Sequence, residues 1–142
     1  MIATNQSGIG RGLYTEEDFY RLTDWMKEQF AAAGAPLAGV YFCPHHPTDA
    51  VGPYRTACDC RKPRPGMLLA AARDLGIDLS RSVVFGDRES DLVAGRAAGV
   101  PERLLLWADG TQAPLAAPAA GLATGTYRTL AAAVAEAEAA RA

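Results

Sequence analysis

The sequence predicts an α/β protein in which a parallel, doubly wound sheet lies between two layers of helices. Short apolar segments with strand character alternate with longer segments of helical periodicity, an order that favours parallel pairing. The segment around Leu105 is apolar at successive positions, as in strands that are buried on both faces. The 142 residues, 49% hydrophobic and 21% charged, have the length and composition of one globular domain.

The first predicted elements are a strand and a long helix. The start of the chain up to Thr4 has the pattern of a strand end, and a polar, glycine-rich turn at 5–12 follows it. Thr15 and Asp18 have the spacing of a helix start, and Gly34 is typical of a helix end. Apolar residues recur between them at helical spacing: Phe19, Leu22, Met26, Phe30 and Ala33.

A strand, an irregular stretch and a second helix are predicted next. Residues 40–42 have the composition of a short buried strand, whereas 45–65 contains four prolines and is predicted to be irregular. Pro65 suits the first position of a helix, and Gly76 suits its end.

The rest of the chain adds strands and helices in alternation. Strands are predicted at 82–86, at 103–107 and, weakly, near Leu122, with a loop at 111–118. Helices are predicted from Ser90 to Gly99 and from Leu130 to the end of the chain.

The charge balance excludes some classes of partner. Fourteen Lys and Arg residues against 16 Asp and Glu give a net charge of -2, so no basic field exists to hold a nucleic acid or an anionic membrane. No apolar run approaches the ~18 residues of a membrane helix, and the residues after Met1 do not resemble a signal peptide. We therefore expect a cytoplasmic protein.

All three cysteines cluster with a histidine. Cys43 and His45 form one close pair, and Cys58 and Cys60 form a second pair after 12 intervening residues. Thiolate and imidazole are the ligands that Zn²⁺ prefers, and a Cys₃His set with no open position is typical of structural zinc. The sequence thus predicts a zinc loop over 43–60. His46 is an alternative to His45 as the fourth ligand.

A second interpretation of the same segment is weaker. Cys58 and Arg64 match the C-x₅-R spacing of cysteine-dependent phosphatases. Pro63 removes one backbone amide that such a phosphate loop needs, and Arg61-Lys62 replace its small residues.

Phosphate-binding chemistry is predicted where the strands end, because ligands of open α/β sheets lie beyond the carboxyl ends of the strands. Thr4 offers a hydroxyl, and Asn5, Gln6 and Ser7 offer amides that suit phosphate oxygens. Arg61 and Lys62 put two cations on a rigid loop between Cys60 and Pro63.

A carboxylate follows the strand at 82–86. Asp87 is placed to bind Mg²⁺, which typically takes one or two protein carboxylates together with substrate phosphate. Asp91 is the alternative ligand, although it is also placed to cap the following helix.

Together these segments resemble the haloacid dehalogenase-like phosphatases, in particular the subfamily of the heptose 1,7-bisphosphate phosphatases and histidinol-phosphatases. The resemblance extends from Met1 to about Trp107. It rests on four segments in the family's order: Thr4-Asn5-Gln6-Ser7-Gly8-Ile9, Cys43-Pro44-His45-His46-Pro47, Cys58-Asp59-Cys60-Arg61-Lys62-Pro63 and Gly86-Asp87.

The resemblance implies an activity and a role for individual residues. The activity is Mg²⁺-dependent removal of the 7-phosphate of D-glycero-D-manno-heptose 1,7-bisphosphate through an aspartyl-phosphate, with histidinol-phosphatase as the alternative. Thr4 would hold the phosphoryl group, Lys62 would neutralise its charge, and Arg61 would recognise the substrate. Asp87 would bind Mg²⁺, assisted by the backbone of Arg88, which also lies where the family contacts substrate. The family is usually monomeric.

The Asp-x-Asp-x-Thr strand, which carries the nucleophile of this family, is missing from the sequence. Asp109-Gly110-Thr111 has Trp107 at the nucleophile position, so we interpret it as a turn. We therefore expect residues 1–142 to form a single, N-terminally incomplete phosphatase domain that is inactive alone. The missing strand would come from a separate chain or an upstream segment, unless this is a non-catalytic, zinc-bearing domain that binds a phosphorylated ligand.

Overall fold

The computed structural model describes residues 1–107 and 121–140. These residues form β1 (Ile2–Asn5), α1 (Ser7–Gly10), α2 (Glu16–Ala32), β2 (Val40–Cys43), α3 (Gly66–Leu75), β3 (Val83–Gly86), α4 (Glu89–Ala97), β4 (Glu102–Leu106), β5 (Gly125–Tyr127) and α5 (Leu130–Ala139). Short 3-10 turns lie at Gly52–Tyr54 and Leu79–Arg81. None of the helices in the described ranges is long and apolar enough to span a membrane.

The strands pair in parallel, as predicted, but they form two sheets rather than one. β1 pairs with β2, with Thr4 opposite Phe42. The second sheet has the order β3-β4-β5, with Leu104 between Phe85 and Gly125. The α/β class with parallel sheets is confirmed, and the sheet is interrupted between β1 and β3.

The second sheet is covered on both faces, as the apolar run in β4 predicts. Leu104 packs against Ala133 and Ala137 of α5. Leu105, whose side chain points to the other face, packs against Leu92 of α4. Helix, sheet and helix therefore form three layers in this half of the chain.

Helix α2 is less buried than its apolar periodicity predicts. Phe19 is buried against Phe42 of β2, with ring centroids 4.5 Å apart. Leu22 and Phe30 belong to the predicted apolar face, yet they are 60% and 37% exposed. Two short strands are too narrow a platform to cover a helix of 17 residues.

Other local predictions need correction. The predicted turn at 5–12 contains the one-turn helix α1. Pro65 precedes α3 instead of starting it. Leu122 is buried in the core, 1% exposed, and the strand begins only at Gly125, where pairing with β4 begins. The predicted features at 109–118 lie outside the described residues.

An apolar groove of about 450 Å³ separates the two sheets. Ile2 and Gln6 donate their backbone N–H groups to Gly39 and Cys43 on the β2 side. Because alternate residues of a strand direct their backbone groups to opposite edges, those of Ala3 point to the groove side. The groove is lined by β1 and β3 and by apolar side chains of other elements: Ile2, Ala3, Val83, Val84, Phe85, Phe30, Leu37, Leu68, Leu106, Leu130 and Val134.

Candidate active site and metal cluster

Lys62 lies at the end of the groove and connects β1 of the first sheet with α4, which packs on the second sheet. Its ammonium group donates to the Ala3 carbonyl over 2.7 Å and pairs with the Asp91 carboxylate over 2.6 Å. The Lys62 and Asp91 side chains are only 15% and 9% exposed. Asn5 fixes the Lys62 backbone by donating to its carbonyl over 3.1 Å and accepting from its N–H over 3.0 Å. The structure therefore brings Lys62 to the end of β1, as predicted.

Asp91 has two functions at the junction of β3 and α4. One carboxylate oxygen pairs with Lys62, and the other accepts the Arg88 backbone N–H over 3.1 Å at the start of α4. A side chain at Gly86 would overlap Asp91, so glycine is required for this close approach. The capping alternative for Asp91 is thus the observed one, whereas its pairing with Lys62 was not predicted.

Asp87 follows β3 directly and is exposed to solvent. Its oxygen donors fit Mg²⁺, which keeps several waters and binds few protein carboxylates. Arg88 is also exposed, and its carbonyl accepts the Asp91 N–H over 3.0 Å. Asp87 and the Arg88 carbonyl are the groups at this strand end that could hold the ion.

Two successive side-chain hydrogen bonds connect Thr4 to Tyr14, a residue that no sequence pattern singles out. The Tyr14 hydroxyl donates to the Gln6 side-chain carbonyl over 2.5 Å, and the Gln6 amide donates to the Thr4 hydroxyl oxygen over 2.9 Å. Ser7, the other predicted phosphate contact, begins α1. Tyr14 belongs to no motif and no periodic pattern, so only the folded loop reveals its contact.

The four predicted zinc ligands form one cluster. The ligand atoms of Cys43, His45, Cys58 and Cys60 all lie within 4.8 Å of one another. The sulfur of Cys60 is 2.9 Å from that of Cys43 and 3.3 Å from that of Cys58. A tetrahedral ion with zinc–sulfur bonds of ~2.3 Å separates its ligands by about 3.8 Å, so these sulfurs lie within about 1 Å of the separations that a bound zinc ion requires. The donor set and its geometry fit zinc.

The thiols of the cluster are electrostatically unequal. Burial is the largest cause that raises the pKa of the Cys43 thiol. Burial and then contacts with the other two thiols raise the pKa of Cys60 well above its usual range. At Cys58 burial acts in the same direction, but hydrogen bonds from Cys60 and Cys43 outweigh it and lower the pKa. A bound cation would favour the thiolate form of all three.

Contacts around the cluster decide between the alternatives predicted for this segment, namely His46 as the fourth ligand and a cysteine-dependent phosphatase loop. His46 lies outside the cluster, and its ring nitrogen accepts the backbone N–H of Asp49 over 3.0 Å. Arg64 donates to the Cys58 carbonyl over 3.0 Å, and the Cys58 sulfur faces the other thiols, which does not fit a cysteine-dependent phosphatase. Arg61 donates to the His45 carbonyl over 3.2 Å, so the cluster also positions this predicted substrate contact.

Comparison with known proteins places these residues in a family. A family model described as HAD-hydrolase-like matches residues 59–137. A D-glycero-alpha-D-manno-heptose-1,7-bisphosphate 7-phosphatase of Burkholderia mallei is 55% identical over 106 residues, which are 75% of this chain and 56% of that protein. A D-glycero-beta-D-manno-heptose-1,7-bisphosphate 7-phosphatase of Vibrio cholerae is 48% identical over 106 residues, 75% of this chain and 57% of that protein. The chain thus spans little more than half the length of these relatives.

Two solved structures have the same fold. A D,D-heptose 1,7-bisphosphate phosphatase of B. bronchiseptica, complexed with magnesium and phosphate, aligns with a TM-score of 0.75 and 31% identity over 99% of this chain and 74% of that chain. A protein of Mesorhizobium loti assigned as a HAD-like phosphatase aligns with a TM-score of 0.79 and 31% identity over 98% of this chain and 64% of that one. The match of the family model to more than half of the chain, and of 99% of the chain to a solved phosphatase at 31% identity, shows that the protein belongs to the haloacid dehalogenase-like hydrolases.

Proposed function

We propose that residues 1–142 form the larger part of a phosphatase that removes the 7-phosphate of D-glycero-D-manno-heptose 1,7-bisphosphate. The observation that carries the proposal is the position of Lys62, which is largely shielded from water between the ends of β1 and β3 with Asp91 as its partner. A largely shielded ammonium at this edge of a parallel sheet suits a phosphoryl group. The heptose substrate is supported by the names of the relatives, which include both anomers.

In this proposal each site residue has a defined task. The Thr4 hydroxyl donates to the transferring phosphoryl group, Lys62 neutralises its charge, and Asn5, Gln6 and Ser7 line its pocket. Arg61 and Arg88 contact the rest of the substrate. Asp87, with the Arg88 carbonyl, would hold Mg²⁺, which offsets negative charge on the phosphate when bound. The solved relative that contains magnesium and phosphate supports this metal.

The nucleophile has to come from outside these 142 residues, because no Asp-x-Asp pair occurs among them. We propose that it arrives on a strand that fills the groove between β1 and β3. The apolar lining of the groove and the Lys62 ammonium at its end support a strand that brings a carboxylate there. The strand would belong either to a longer form of this chain or to a separate polypeptide.

We propose that the cysteine cluster binds one structural zinc ion. Its ligands would be Cys43, His45, Cys58 and Cys60, and the ion would stabilise a loop that carries few apolar side chains. The ion would also fix Arg61, which donates to the His45 carbonyl. Three free thiols fit a reducing compartment, and we propose that the protein works as a monomer in the cytoplasm.

Phosphate release tests the enzymatic proposal. The 142-residue chain, and the same chain extended before Met1 by an apolar strand carrying Asp-x-Asp-x-Thr and a connecting segment, are each incubated with the heptose bisphosphate and Mg²⁺. We expect no turnover by the chain alone and turnover by the extended form, which Lys62→Ala abolishes and the exposed Arg73→Ala leaves unchanged.

Other results would redirect the proposal. Rapid turnover by the unextended chain would contradict the need for a further strand. Faster turnover of histidinol phosphate than of the heptose bisphosphate would change the substrate class. If the chain binds phosphate and the extended form hydrolyses neither substrate, the non-catalytic alternative is favoured.

A further inference from the structure

The orientation of the Thr4 hydroxyl depends on Gln6, which contacts it, and on Tyr14, which contacts Gln6. The Gln6 backbone is fixed at the end of β1, because its N–H donates to the Cys43 carbonyl over 2.8 Å and its carbonyl accepts the Ile9 N–H over 3.0 Å. Its side chain extends from this fixed point and lies between the Thr4 hydroxyl and the Tyr14 hydroxyl. Each of these three side chains is partly buried.

The two hydrogen-bond lengths assign the donors. The 2.5 Å separation between Tyr14 and Gln6 fits an O–H···O bond, and the 2.9 Å separation between Gln6 and Thr4 fits an N–H···O bond. The Gln6 carbonyl therefore faces Tyr14, and its NH₂ group faces Thr4. The Thr4 oxygen accepts this bond and keeps its own proton, for which the described part of the chain offers no acceptor within bonding distance.

Tyr14 is held in place by the loop. Its ring lies directly over the buried Gly8, where any side chain would overlap the ring atoms and the phenol oxygen. The Leu13 N–H donates to the Gly8 carbonyl over 2.9 Å, which brings the loop back to this position. Tyr14 is thus fixed by packing, independently of its hydroxyl group.

We propose that Tyr14 and Gln6 are positioning residues that keep the Thr4 hydroxyl as a hydrogen-bond donor to a phosphoryl oxygen. This inference rests on the proposed function of the site. If the Gln6 amide were reversed, its carbonyl would face Thr4 and take the hydroxyl proton, and the site would lose a donor. Tyr14 opposes the reversal, because its hydroxyl proton would then lose the Gln6 carbonyl, which is its acceptor in the described part of the chain.

The hydrogen bonds from Tyr14 through Gln6 to Thr4 form a relay, and Tyr14→Phe tests it. This substitution removes the donor of the first bond and keeps the ring over Gly8. We expect the dissociation constant for inorganic phosphate, measured by calorimetry on the 142-residue chain with Mg²⁺, to rise about tenfold, as the loss of one well-placed hydrogen bond implies. Gln6→Glu should weaken binding further, since a carboxylate can accept from both hydroxyl groups. The Gln6 side-chain amide signals in ¹H–¹⁵N NMR spectra should shift in Tyr14→Phe while the melting temperature stays the same.

Tyr54→Phe is the matched control, because the Tyr54 hydroxyl donates to Glu16 over 3.0 Å and has no contact with Thr4 or Gln6. It should leave phosphate binding and the Gln6 signals unchanged. If the unmutated chain binds phosphate and Tyr14→Phe binds it equally well, the relay is wrong although the proposed site stands. If the unmutated chain binds no phosphate, the proposed phosphate site itself is overturned.

Discussion

The pair of Lys62 and Asp91 shows how one contact serves both stability and function. Both side chains are largely removed from water, so each charge depends on the other for compensation. Asp91 also caps α4, and Lys62 also satisfies the Ala3 carbonyl. Loss of either partner therefore affects both sheets.

We predict that Lys62→Met lowers the free energy of unfolding by about 3 kcal/mol, because the Asp91 carboxylate stays buried without its partner. Urea denaturation at neutral pH measures the change. Arg73→Met is the control, since Arg73 is 75% exposed in its pair with Asp74 and should cost less than about 1 kcal/mol. Equal losses in the two variants would show that Lys62 contributes no more than a surface charge.

Gly86 belongs to the same contact, and the packing there leads to a second prediction. Gly86→Ala should cost about 2 kcal/mol, because its new methyl group overlaps Asp91 and displaces it from Lys62. In an Asp91→Gly background the Cβ and carboxylate that would be overlapped are both gone, so the cost of Gly86→Ala should become small. Thermal denaturation of the four proteins in this cycle gives the coupling directly, and strictly additive losses would contradict the overlap.

At the scale of single elements, the start of α2 makes stability depend on pH. Asp18 accepts the Thr15 backbone N–H over 2.9 Å and the Thr15 hydroxyl over 2.7 Å, and these bonds hold the pKa of Asp18 below its usual 3.8. A lowered pKa means that the bonds stabilise the fold above about pH 4 and are lost as the pH falls through the lower value. We predict a shallower loss of melting temperature between about pH 4 and pH 2 for Asp18→Asn than for the unmutated chain. Glu17→Gln, one residue earlier and 81% exposed, is the control and should follow the unmutated curve.

The loop between β2 and α3 is predicted to need its metal. Cys58→Ser should reduce the zinc content to well below one ion per chain and lower the melting temperature, because the loop has few apolar contacts to replace the ion. Removal of zinc with a chelator should have the same effect on the unmutated chain. His46→Ala should retain the metal, since His46 lies outside the cluster. Metal analysis decides the matter, and unchanged zinc in Cys58→Ser would remove Cys58 from the ligand set.

Local sequence signals predict most of these elements, whereas the contacts between the elements could not be predicted. The Thr15 and Asp18 cap, the glycine that ends α2 and the paired cysteine spacing can be recognised within a few neighbouring residues. The pairing of Lys62 with Asp91 joins positions 29 residues apart and depends on how the strand ends meet. The relay from Tyr14 depends on the path of a loop. Neither leaves a periodic pattern in the sequence.

At the scale of the whole molecule, the interrupted sheet divides the described chain into unequal halves. The two clusters of buried core residues both lie in the half built on β3, β4 and β5. The half built on β1 and β2 has a partly exposed helix and borders the groove with one edge of β1. Few buried apolar contacts imply easier local opening. A strand in the groove would pair with both edges and join the halves.

We predict that hydrogen exchange followed by mass spectrometry will show faster exchange in β1 and β2 than in β3 and β4 of the 142-residue chain. In the form extended by an Asp-x-Asp-x-Thr strand, exchange should slow at Ala3 on one side of the groove and around Phe85 on the other, because the new strand supplies backbone partners to both. The turn at Gly52–Tyr54, which does not line the groove, should change little and serves as the internal control. Protection confined to one sheet would mean that the strand adds to a single edge, and the proposed closure of the two sheets into one would then be wrong.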